Sequence, residues 1–486
     1  MAPVRPIRDS VTFLRLVCSK GGMRPIRLMV LAAALLAALP AAAEAAKPSF
    51  EGPADSLSPR FDWKVRDYVS TCTGDSLTLQ VDGARRWRTS LAGSDPARGD
   101  LRYSAERSAG QSVDVTFKRR DGLARRYHVR CLPPDFPEST FKRLRPGGAK
   151  LFMIQLPDQY AAIYDDDGVP VWWMRADGFT DDAKILPDGT ISWDSVEAGD
   201  AMSGAFDIRR LNGKLIRSVG DEDTDVHDLQ LLPNGNYVIA QQTYRTDLDT
   251  SAYGGSAAAA VRDYDIDEVT PDGEVVRTWS TADHIGLDET GRWWDSITGA
   301  FTYDITHWNA VDVDGRFMYL SFRHLDAIYK VDRRTGEIIW KLGGTETPES
   351  LDVLNDPRGY PIGGQHDVRV LPNGTVTIHN NRTGLDDGVP RAERFRIDEA
   401  AGTATLVESL ADPKVDTAQC CGSARRLPDK SWLVAWGRSE IVGAYDRDGR
   451  PLYRLRVPGS FTYRANPVTD VVGRGDLRDA MDRMNR

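Results

Sequence analysis

Residues 329–344 have the sequence YKVDRRTGEIIWKLGG, in which two apolar runs flank a polar turn that ends in glycine. A short polar turn between runs of β-branched and aromatic residues is typical of a β-hairpin. Five other segments repeat this pattern, and they begin at Ile163, Phe206, Tyr264, Phe395 and Ala444. The sequence therefore predicts six copies of one hairpin.

A second family of hairpins alternates with the first. Its members begin at Ile185 (ILPDGTISW), His227 (HDLQLLPNG), His307 (HWNAVDVDG), His366 (HDVRVLPNG) and Arg426 (RLPDKSWLVAW). Two hairpins in each unit make a four-stranded antiparallel sheet, and units of roughly 40–60 residues are typical of propeller blades. We therefore predict an all-β fold with a six-bladed β-propeller over residues 146–470. We expect its last blade to receive a strand from the segment KLFMIQLP, which starts at Lys150.

Three members of the second hairpin family carry a histidine at the same position. His227, His307 and His366 each precede the glycine of their turn by the same number of residues. Side chains alternate between the two faces of a strand, so equal offsets in equivalent strands place side chains on one face at one height. If the sheets surround an axis, we expect the three imidazoles to converge.

Arginines recur at a fixed distance from these histidines. Arg323 follows His307 by the interval that separates Arg382 from His366, and Arg438 takes the equivalent position in a repeat without the histidine. A guanidinium is a permanently charged fork that suits sulfate or phosphate oxygens. The pattern predicts a pocket for a tetrahedral oxyanion, in which one imidazole acts as nucleophile and the other groups stabilise charge.

Two other interpretations of the histidines remain open at this point. Three histidines can bind zinc, although a neighbouring arginine repels a metal dication and we expect no metal. Each histidine can also simply satisfy hydrogen bonds at the inner edge of its sheet. The four remaining histidines lie outside the repeat register or at a strand end, so we expect no chemistry from His128, His284, His324 and His379.

Aromatic residues surround the second histidine of the set. Trp293 precedes His307 in an insertion, and Trp308 follows it directly. Tryptophan faces bind aromatic groups well, so we predict that both contact a substrate ring, together with the substrate-binding arginines Arg382 and Arg438. Packing within a blade is the alternative role for the two tryptophans.

Composition and motifs exclude several classes of function. The 486 residues carry a formal net charge of −9, whereas a nucleic-acid-binding protein normally has a basic surface. No Walker-type or dinucleotide-type glycine loop occurs, so we expect no nucleotide and no other cofactor. Nothing after residue 46 is apolar over a length that spans a bilayer.

The N-terminus and the cysteines indicate an exported protein. Arg24 and Arg27 precede the apolar run LMVLAAALLAALPAAA, which predicts a secretory signal over residues 1–46, with a membrane anchor as the alternative. We expect the mature protein in the periplasm or outside the cell, with no membrane association.

Residues 47–145 contain alternating strand patterns bracketed by Cys72 and Cys131, which predicts a small β-sandwich domain closed by a disulfide. Residues 471–486 are expected to form a C-terminal tail. The adjacent Cys420 and Cys421 fit either a vicinal disulfide or two thiols, and both remain open.

The repeat segments also resemble a known family. The segments VHDLQLLPNGNYVIA, THWNAVDVDG, SFRHLDAIYKVDRRTGEIIWKLGG and GQHDVRVLPNGTVTIHNN are similar to those of the bacterial arylsulfate sulfotransferases, over residues 150–467. Members of that family are exported six-bladed propellers with a small N-terminal β-domain. They move a sulfuryl group from a phenolic sulfate ester to another phenol without a nucleotide donor.

The resemblance implies roles for four residues. His366 matches the histidine that is transiently sulfated, His227 and His307 match two stabilising histidines, and Arg323 matches the arginine of the site. Trp308 is bulkier than the aliphatic residue usual at that position, which indicates a diverged branch. The implied partners are a small aryl sulfate donor and a phenolic acceptor, and a homodimer is left open. A non-catalytic exported propeller that binds a ligand or a protein is the alternative function.

Overall fold

The computed structural model describes residues 46–53, 56–72, 76–178, 180–194, 203–385, 387–468 and 470–484. Every element below belongs to one compact unit, Lys47–Arg486. Almost all of the expected signal segment lies outside the described residues, so export stays a prediction. Within the described ranges, no helix has both the length and the apolar character needed to cross a bilayer.

Eight strands near the N-terminus form two sheets with one shared core. They are β1 (Ser49–Glu51), β2 (Leu57–Ser58), β3 (Asp67–Thr71), β4 (Ser76–Asp82), β5 (Trp87–Leu91), β6 (Leu101–Glu106), β7 (Ser112–Arg119) and β8 (Ala124–Leu132). One sheet has the order β1-β4-β6 and the other β2-β3-β8-β7-β5. Alternate residues of β4 and β7, such as Leu79 and Val115, are buried in one apolar cluster. A disulfide joins Cys72 to Cys131 beside this core, as the sequence predicts.

The rest of the chain is built mainly from six further sheets. Their strands are β9 (Thr140–Arg143), β10 (Leu151–Leu156), β11 (Tyr160–Asp165), β12 (Pro170–Arg175), β13 (Lys184–Ile185), β14 (Ile191–Asp194), β15 (Phe206–Arg209), β16 (Leu215–Val219), β17 (Gln230–Leu231), β18 (Tyr237–Leu248), β19 (Ala259–Val269), β20 (Val275–Ser280), β21 (Thr302–Asp304), β22 (Trp308–Asp314), β23 (Phe317–Phe322), β24 (Ala327–Asp332), β25 (Ile338–Gly343), β26 (Asp352–Leu354), β27 (His366–Val370), β28 (Val376–Asn380), β29 (Arg391–Asp398), β30 (Thr403–Leu410), β31 (Ser423–Arg426), β32 (Trp432–Ala435), β33 (Ile441–Tyr445), β34 (Pro451–Arg456) and β35 (Ala465–Pro467).

Three short α-helices accompany them, α1 (Thr281–His284), α2 (Trp294–Ile297) and α3 (Arg474–Met484), together with 3-10 turns at Ser251–Tyr253, Leu287–Trp293 and Arg323–Leu325.

Each of these six sheets has four strands in antiparallel order at its centre. The orders are β12-β11-β10-β35, β13-β14-β15-β16, β17-β18-β19-β20, β22-β23-β24-β25, β27-β28-β29-β30 and β31-β32-β33-β34. Three of the sheets carry a fifth strand: β21 runs parallel to β19, β26 parallel to β30, and β9 antiparallel to β34. The described chain is therefore mostly β, as the hairpin pattern predicts.

The segment that starts at Lys150 does not join the last sheet, and that expectation was wrong. Its strand β10 forms a tight hairpin with β11 in the first sheet. The strand that reaches across the chain is β35, which pairs with β10 along Phe152 to Ile154. The last sheet instead receives β9, from within the residues assigned to the N-terminal domain. A hairpin between neighbouring strands costs little loop entropy, which explains why β10 pairs locally.

The C-terminal segment, expected to be a tail, contains helix α3. Its residues Leu477, Ala480 and Met481 are buried in the apolar cluster of the first sheet. Arg478 contacts Asp67 of β3 at 2.6 Å. Arg474 contacts Asp67, Asp165 at the end of β11 and Asp166 just after that strand. The helix therefore connects the N-terminal sheets with the first of the six.

One buried arginine, just before β35, contacts the first strands of several sheets. Arg464 has a side chain that is 1% exposed, and it binds Asp182 at 2.7 Å and Asp228 at 3.1 Å. Its Nη2 donates to the carbonyl of Asn309 at 2.7 Å, and its Nε lies 3.7 Å from Asp367. These four partners lie in or just before the first strands of four different sheets, so one guanidinium links those strands.

Replacing Arg464 is expected to destabilise the protein strongly. Arg464→Ala breaks several buried ion pairs at once, and breaking a buried pair costs about 3–5 kcal/mol of unfolding free energy. The carboxylates retain Lys184 and Arg369 as other partners. Arg456→Ala is the matched control, because Arg456 pairs with Glu440 at the surface and such pairs contribute about 0–1 kcal/mol. Chemical denaturation followed by circular dichroism measures both. Equal midpoints for the two variants would contradict the role given to Arg464.

Candidate functional site

The three histidines that share one offset from their turn glycines lie at the start of the first strand of their sheets. His227 precedes β17, His307 precedes β22, and His366 is the first residue of β27. The ring centroids of His227 and His307 are 5.1 Å apart. The charges of His227, His307 and Arg323 all act on the pKa of His366. The structure therefore brings these four residues together.

Two of the histidines are held by carboxylates. Nδ1 of His227 lies 2.6 Å from Asp225, and Nδ1 of His307 lies 2.6 Å from Asp304. Each aspartate also accepts the backbone N–H of its own histidine at 3.0 Å. A carboxylate at Nδ1 keeps the proton on that nitrogen and leaves Nε2 for other partners.

The pKa values of these two imidazoles shift in opposite directions. Burial lowers the pKa of His227, but the Asp225 carboxylate outweighs burial and the net shift is upward. Burial, together with the charges of His227 and Arg323, holds the pKa of His307 well below its ordinary value. The ring centroids are 5.1 Å apart, so positive charge on one ring disfavours it on the other, and His227 is the ring that takes up a proton more readily.

His366 has a different environment, because no carboxylate among the described residues is hydrogen-bonded to its ring. Its Nδ1 lies 2.9 Å from the side-chain oxygen of Asn381 and 3.1 Å from the carbonyl of Gly364. Two acceptors at Nδ1 fix the hydrogen there, so Nε2 carries the free electron pair, which accepts the N–H of Cys421 at 3.2 Å. Burial and the nearby charge of Arg323 hold the pKa of His366 well below its usual range.

Arg323 is fixed by an aromatic ring and a fourth histidine. Its guanidinium carbon lies 4.3 Å from the ring centroid of Trp293, and Nη1 donates to Nε2 of His324 at 2.7 Å. Nη2 donates to the carbonyl of Gln419 at 3.0 Å, whereas the buried Nε has no acceptor among the described residues. This guanidinium is oriented and retains hydrogen-bonding capacity for an anion.

His324 was expected to carry no chemistry, and the structure places it against Arg323. Its Nδ1 donates to the carbonyl of Asp304 at 2.6 Å, so its Nε2 is free to accept from Arg323. Its ring lies 4.6 Å from those of His307 and Trp293. Burial lowers the pKa of His324 to about 3, which keeps it neutral beside the guanidinium. Only its sequence neighbour Arg323 could have indicated this role.

The predicted substrate-binding residues divide into two groups. Trp293 is 7% exposed and stacks on Arg323. Arg438 is exposed, and its charge helps to lower the pKa of Cys420. Trp308 is fully buried in an apolar cluster, so the prediction that it contacts a substrate ring was wrong. Arg382 turns away from the histidines to Asp387 and the carbonyl of Tyr360, which makes it a loop-fixing residue.

A fourth hairpin of the second family has an aspartate at the position where three others have histidine. Asp181 precedes Gly189 by the interval that separates each register histidine from its turn glycine. The next residue, Asp182, binds Arg464, as do the residues that follow His227 and His366. Burial raises the pKa of the Asp181 carboxyl to about 6, against the opposing charge of His227. The shared offset could have revealed Asp181 from the sequence.

One group near the site has the composition of a metal-binding site. Ligand atoms of Asp304, His307 and His324 lie within 4.8 Å of one another, among the residues that the structure describes. Both nitrogens of His324 are engaged, one with the Asp304 carbonyl and the other with Arg323. Because a guanidinium occupies the nitrogen that a metal would need, the donor set fits a metal poorly.

Comparison with known proteins places the repeat region in a family. The family model described as Arylsulfotransferase (ASST) matches residues 144–448. No curated protein matches the chain.

Three solved structures are similar at low identity. A Bacteroides caccae protein of unknown function is 11% identical over 66% of this chain and 100% of its own, with a TM-score of 0.42. Virginiamycin B lyase from Staphylococcus aureus is 8% identical over 84% and 99%, with a TM-score of 0.34. The β-propeller domain of Myceliophteria thermophila Cps50 (Swd1) is 12% identical over 66% and 91%, with a TM-score of 0.36.

The pKa shifts predict different proton occupancy for two of the histidines. His366 should be neutral, with its proton on Nδ1, at about pH 6.5 and become cationic only at clearly lower pH, since its pKa lies well below the ordinary value of about 6.5. His227 should be cationic at about pH 6.5 and lose its charge only as the pH rises further, because its pKa is raised. Ring ¹⁵N chemical shifts, assigned with single His→Asn variants, measure both. A cationic His366 at about pH 6 would refute this assignment.

Proposed function

This chain belongs to the arylsulfotransferase family, and from that membership we propose that it moves a sulfuryl group from an aryl sulfate ester to a phenolic acceptor through a sulfohistidine at His366. One observation carries the choice of nucleophile. His366 holds its proton on Nδ1 through Asn381 and Gly364, so its Nε2 has an electron pair at neutral pH. His227 and His307 instead pair with carboxylates, which suits them to handle protons and charge.

In the first half of the reaction, Nε2 of His366 attacks sulfur and the bond from sulfur to the aryl oxygen breaks. The departing phenolate takes the proton of cationic His227 and leaves as a phenol. Arg323 stabilises charge on the non-bridging oxygens, which is large in the loose transition state of such transfers. His324 and Trp293 support this step by orienting the guanidinium.

In the second half, an acceptor phenol returns its proton to His227 while its oxygen attacks the sulfur of sulfohistidine. The nitrogen–sulfur bond breaks and neutral His366 is regenerated. Donor and acceptor use one site in turn, which gives ping-pong kinetics. Neither half requires a nucleotide or another cofactor.

The proposal extends to the architecture. We propose that the six sheets are the blades of one six-bladed propeller over residues 146–470, following an N-terminal β-sandwich domain at residues 47–145. The pairing of β35 with β10 supports closure, as does the convergence of four sheets on Arg464. Residues 1–46 are proposed to direct export to the periplasm or the exterior, and a homodimer remains a prediction.

Replacing the nucleophile tests the mechanism directly. His366→Asn should abolish both phenol release from 4-nitrophenyl sulfate and transfer to phenol, because no nitrogen remains to carry the sulfuryl group. His284→Asn is the matched control, since His284 is exposed and outside the site, and it should keep full activity. Incubation with the aryl sulfate alone, followed by peptide mass mapping, should show one added sulfuryl mass on the His366 peptide. Activity of His366→Asn would exclude the covalent mechanism, and a non-catalytic binding protein would show no turnover at all.

If His227 donates a proton, the rate loss on replacing it should depend on the leaving group. His227→Gln removes the proton donor, so it should slow phenyl sulfate, whose phenolate needs a proton, by roughly a hundredfold. The same variant should affect 4-nitrophenyl sulfate much less, because 4-nitrophenolate leaves without protonation. Rates for a series of substituted phenyl sulfates, plotted against the pKa of the leaving phenol, measure this dependence for the wild type and the variant. An equal loss for all members of the series would indicate that His227 only supports the structure.

A further inference from the structure

Two adjacent cysteines lie directly beside His366. The sulfur atoms of Cys420 and Cys421 are 2.6 Å apart, and both residues are partly exposed thiols. The backbone N–H of Cys421 donates to Nε2 of His366 at 3.2 Å. That hydrogen bond occupies the electron pair that the proposed reaction uses for attack.

The segment around these cysteines also contacts the partners of His366. Asn381, which holds Nδ1 of His366, donates through its own amide to the carbonyls of Ala418 at 3.1 Å and Cys421 at 2.9 Å. Arg323 donates to the carbonyl of Gln419 at 3.0 Å. A change in the backbone at this segment therefore reaches the nucleophile, its hydrogen-bond partner and the anion-binding guanidinium together.

We propose that Cys420 and Cys421 form a reversible disulfide that controls whether Nε2 of His366 is free to attack, an inference that rests on the proposed function. The peptide bond between the two cysteines supplies the N–H that binds Nε2, and the same peptide bond lies inside the small ring that a vicinal disulfide closes. Adjacent Cα atoms are about 3.8 Å apart, less than the roughly 4.4–6.8 Å usual for disulfides. A trans peptide cannot reach that range, so closing the ring strains the peptide that carries this N–H.

The backbone at Cys421 is already in an unusual conformation. Its φ of 66° lies in the left-handed region, which a non-glycine residue rarely adopts. In the dithiol form the N–H of this residue points at Nε2 of His366. In the proposed disulfide form the strained peptide turns its N–H away from Nε2, which makes that form the active one.

Thiol–disulfide exchange can form the bond between Cys420 and Cys421. The thiolate of Cys420 attacks a disulfide oxidant and forms a mixed disulfide, and Cys421 then displaces the second thiol of the oxidant. Two electrons pass to the oxidant, which leaves as two thiols that take up both protons. The contact with the Cys421 thiol and, against the effect of burial, the charges of Arg323 and Arg438 lower the pKa of Cys420 to about 7. Cys420 is therefore the attacking thiol.

The test compares protein treated with oxidised glutathione and protein treated with dithiothreitol. Diethyl pyrocarbonate modifies the unprotonated nitrogen of imidazole, and peptide mass mapping follows its addition to His366. We expect modification of His366 to be roughly fivefold faster in the disulfide form, the factor that corresponds to the release of one ordinary hydrogen bond. Turnover of an aryl sulfate should rise in the same form.

Variants separate this effect from reduction of Cys72–Cys131. The double variant C420S/C421S keeps that disulfide, so a redox dependence that persists in it would overturn the proposal. Cys420→Ser alone cannot close the ring and serves the same purpose if the double variant does not fold. Equal or slower modification of His366 in the oxidised protein would also overturn the proposal, as would mass mapping that finds no bond between Cys420 and Cys421. Redox-dependent modification without turnover in either state would refute the proposed function but leave this inference intact.

Discussion

The buried guanidinium of Arg464 organises both the fold and the site. It binds Asp182 and Asp228, approaches Asp367, and donates to a carbonyl in β22. Asp228 and Asp367 directly follow His227 and His366 in the sequence. The contacts of Arg464 therefore also position the imidazoles of His227 and His366, each one residue away from a bound aspartate. A site built on buried ion pairs is rigid, because moving one member leaves a charge unpaired in the interior.

Within this regular arrangement, the local partners of each register position make the residues chemically different. Carboxylates at Nδ1 of His227 and His307 keep those rings ready to exchange protons or carry charge. An amide oxygen at the same nitrogen of His366 orients the ring without adding negative charge, so this imidazole stays neutral. Asp181, at a fourth equivalent position, places a carboxylate where the other three have nitrogen. The opposite pKa shifts of His227 and His366 thus follow in part from which acceptor faces Nδ1.

The anion-binding side of the site depends on contacts between neighbouring rings. Trp293 lies against one face of the Arg323 guanidinium, and His324 accepts one of its protons. Asp326 links this group to the loop before His366, since it accepts from the indole N–H of Trp293 and from the amide of Gly364. Arg323 and the loop before His366 are therefore connected through one shared carboxylate. This connection explains how the insertion that holds Trp293 contributes to the site without Trp293 exposing a broad face.

The sequence by itself determined the hairpin repeats, the mostly β character, the Cys72–Cys131 pair and the register of His227, His307 and His366, because turn chemistry and strand periodicity are local properties. It also held the offset of Asp181, which follows the same rule. Only the tertiary structure decided that β35 rather than the segment from Lys150 reaches across to the other end of the repeats, that Trp308 is core, and that Arg382 faces Asp387. It likewise placed His324 on Arg323 and the Cys421 amide on His366. The pairing of β35 with β10 and the contact of Cys421 with His366 join residues far apart in the sequence. The contacts of His324 and Arg382 are close in sequence, but their geometry depends on how rings and loops pack, which the repeat pattern does not encode.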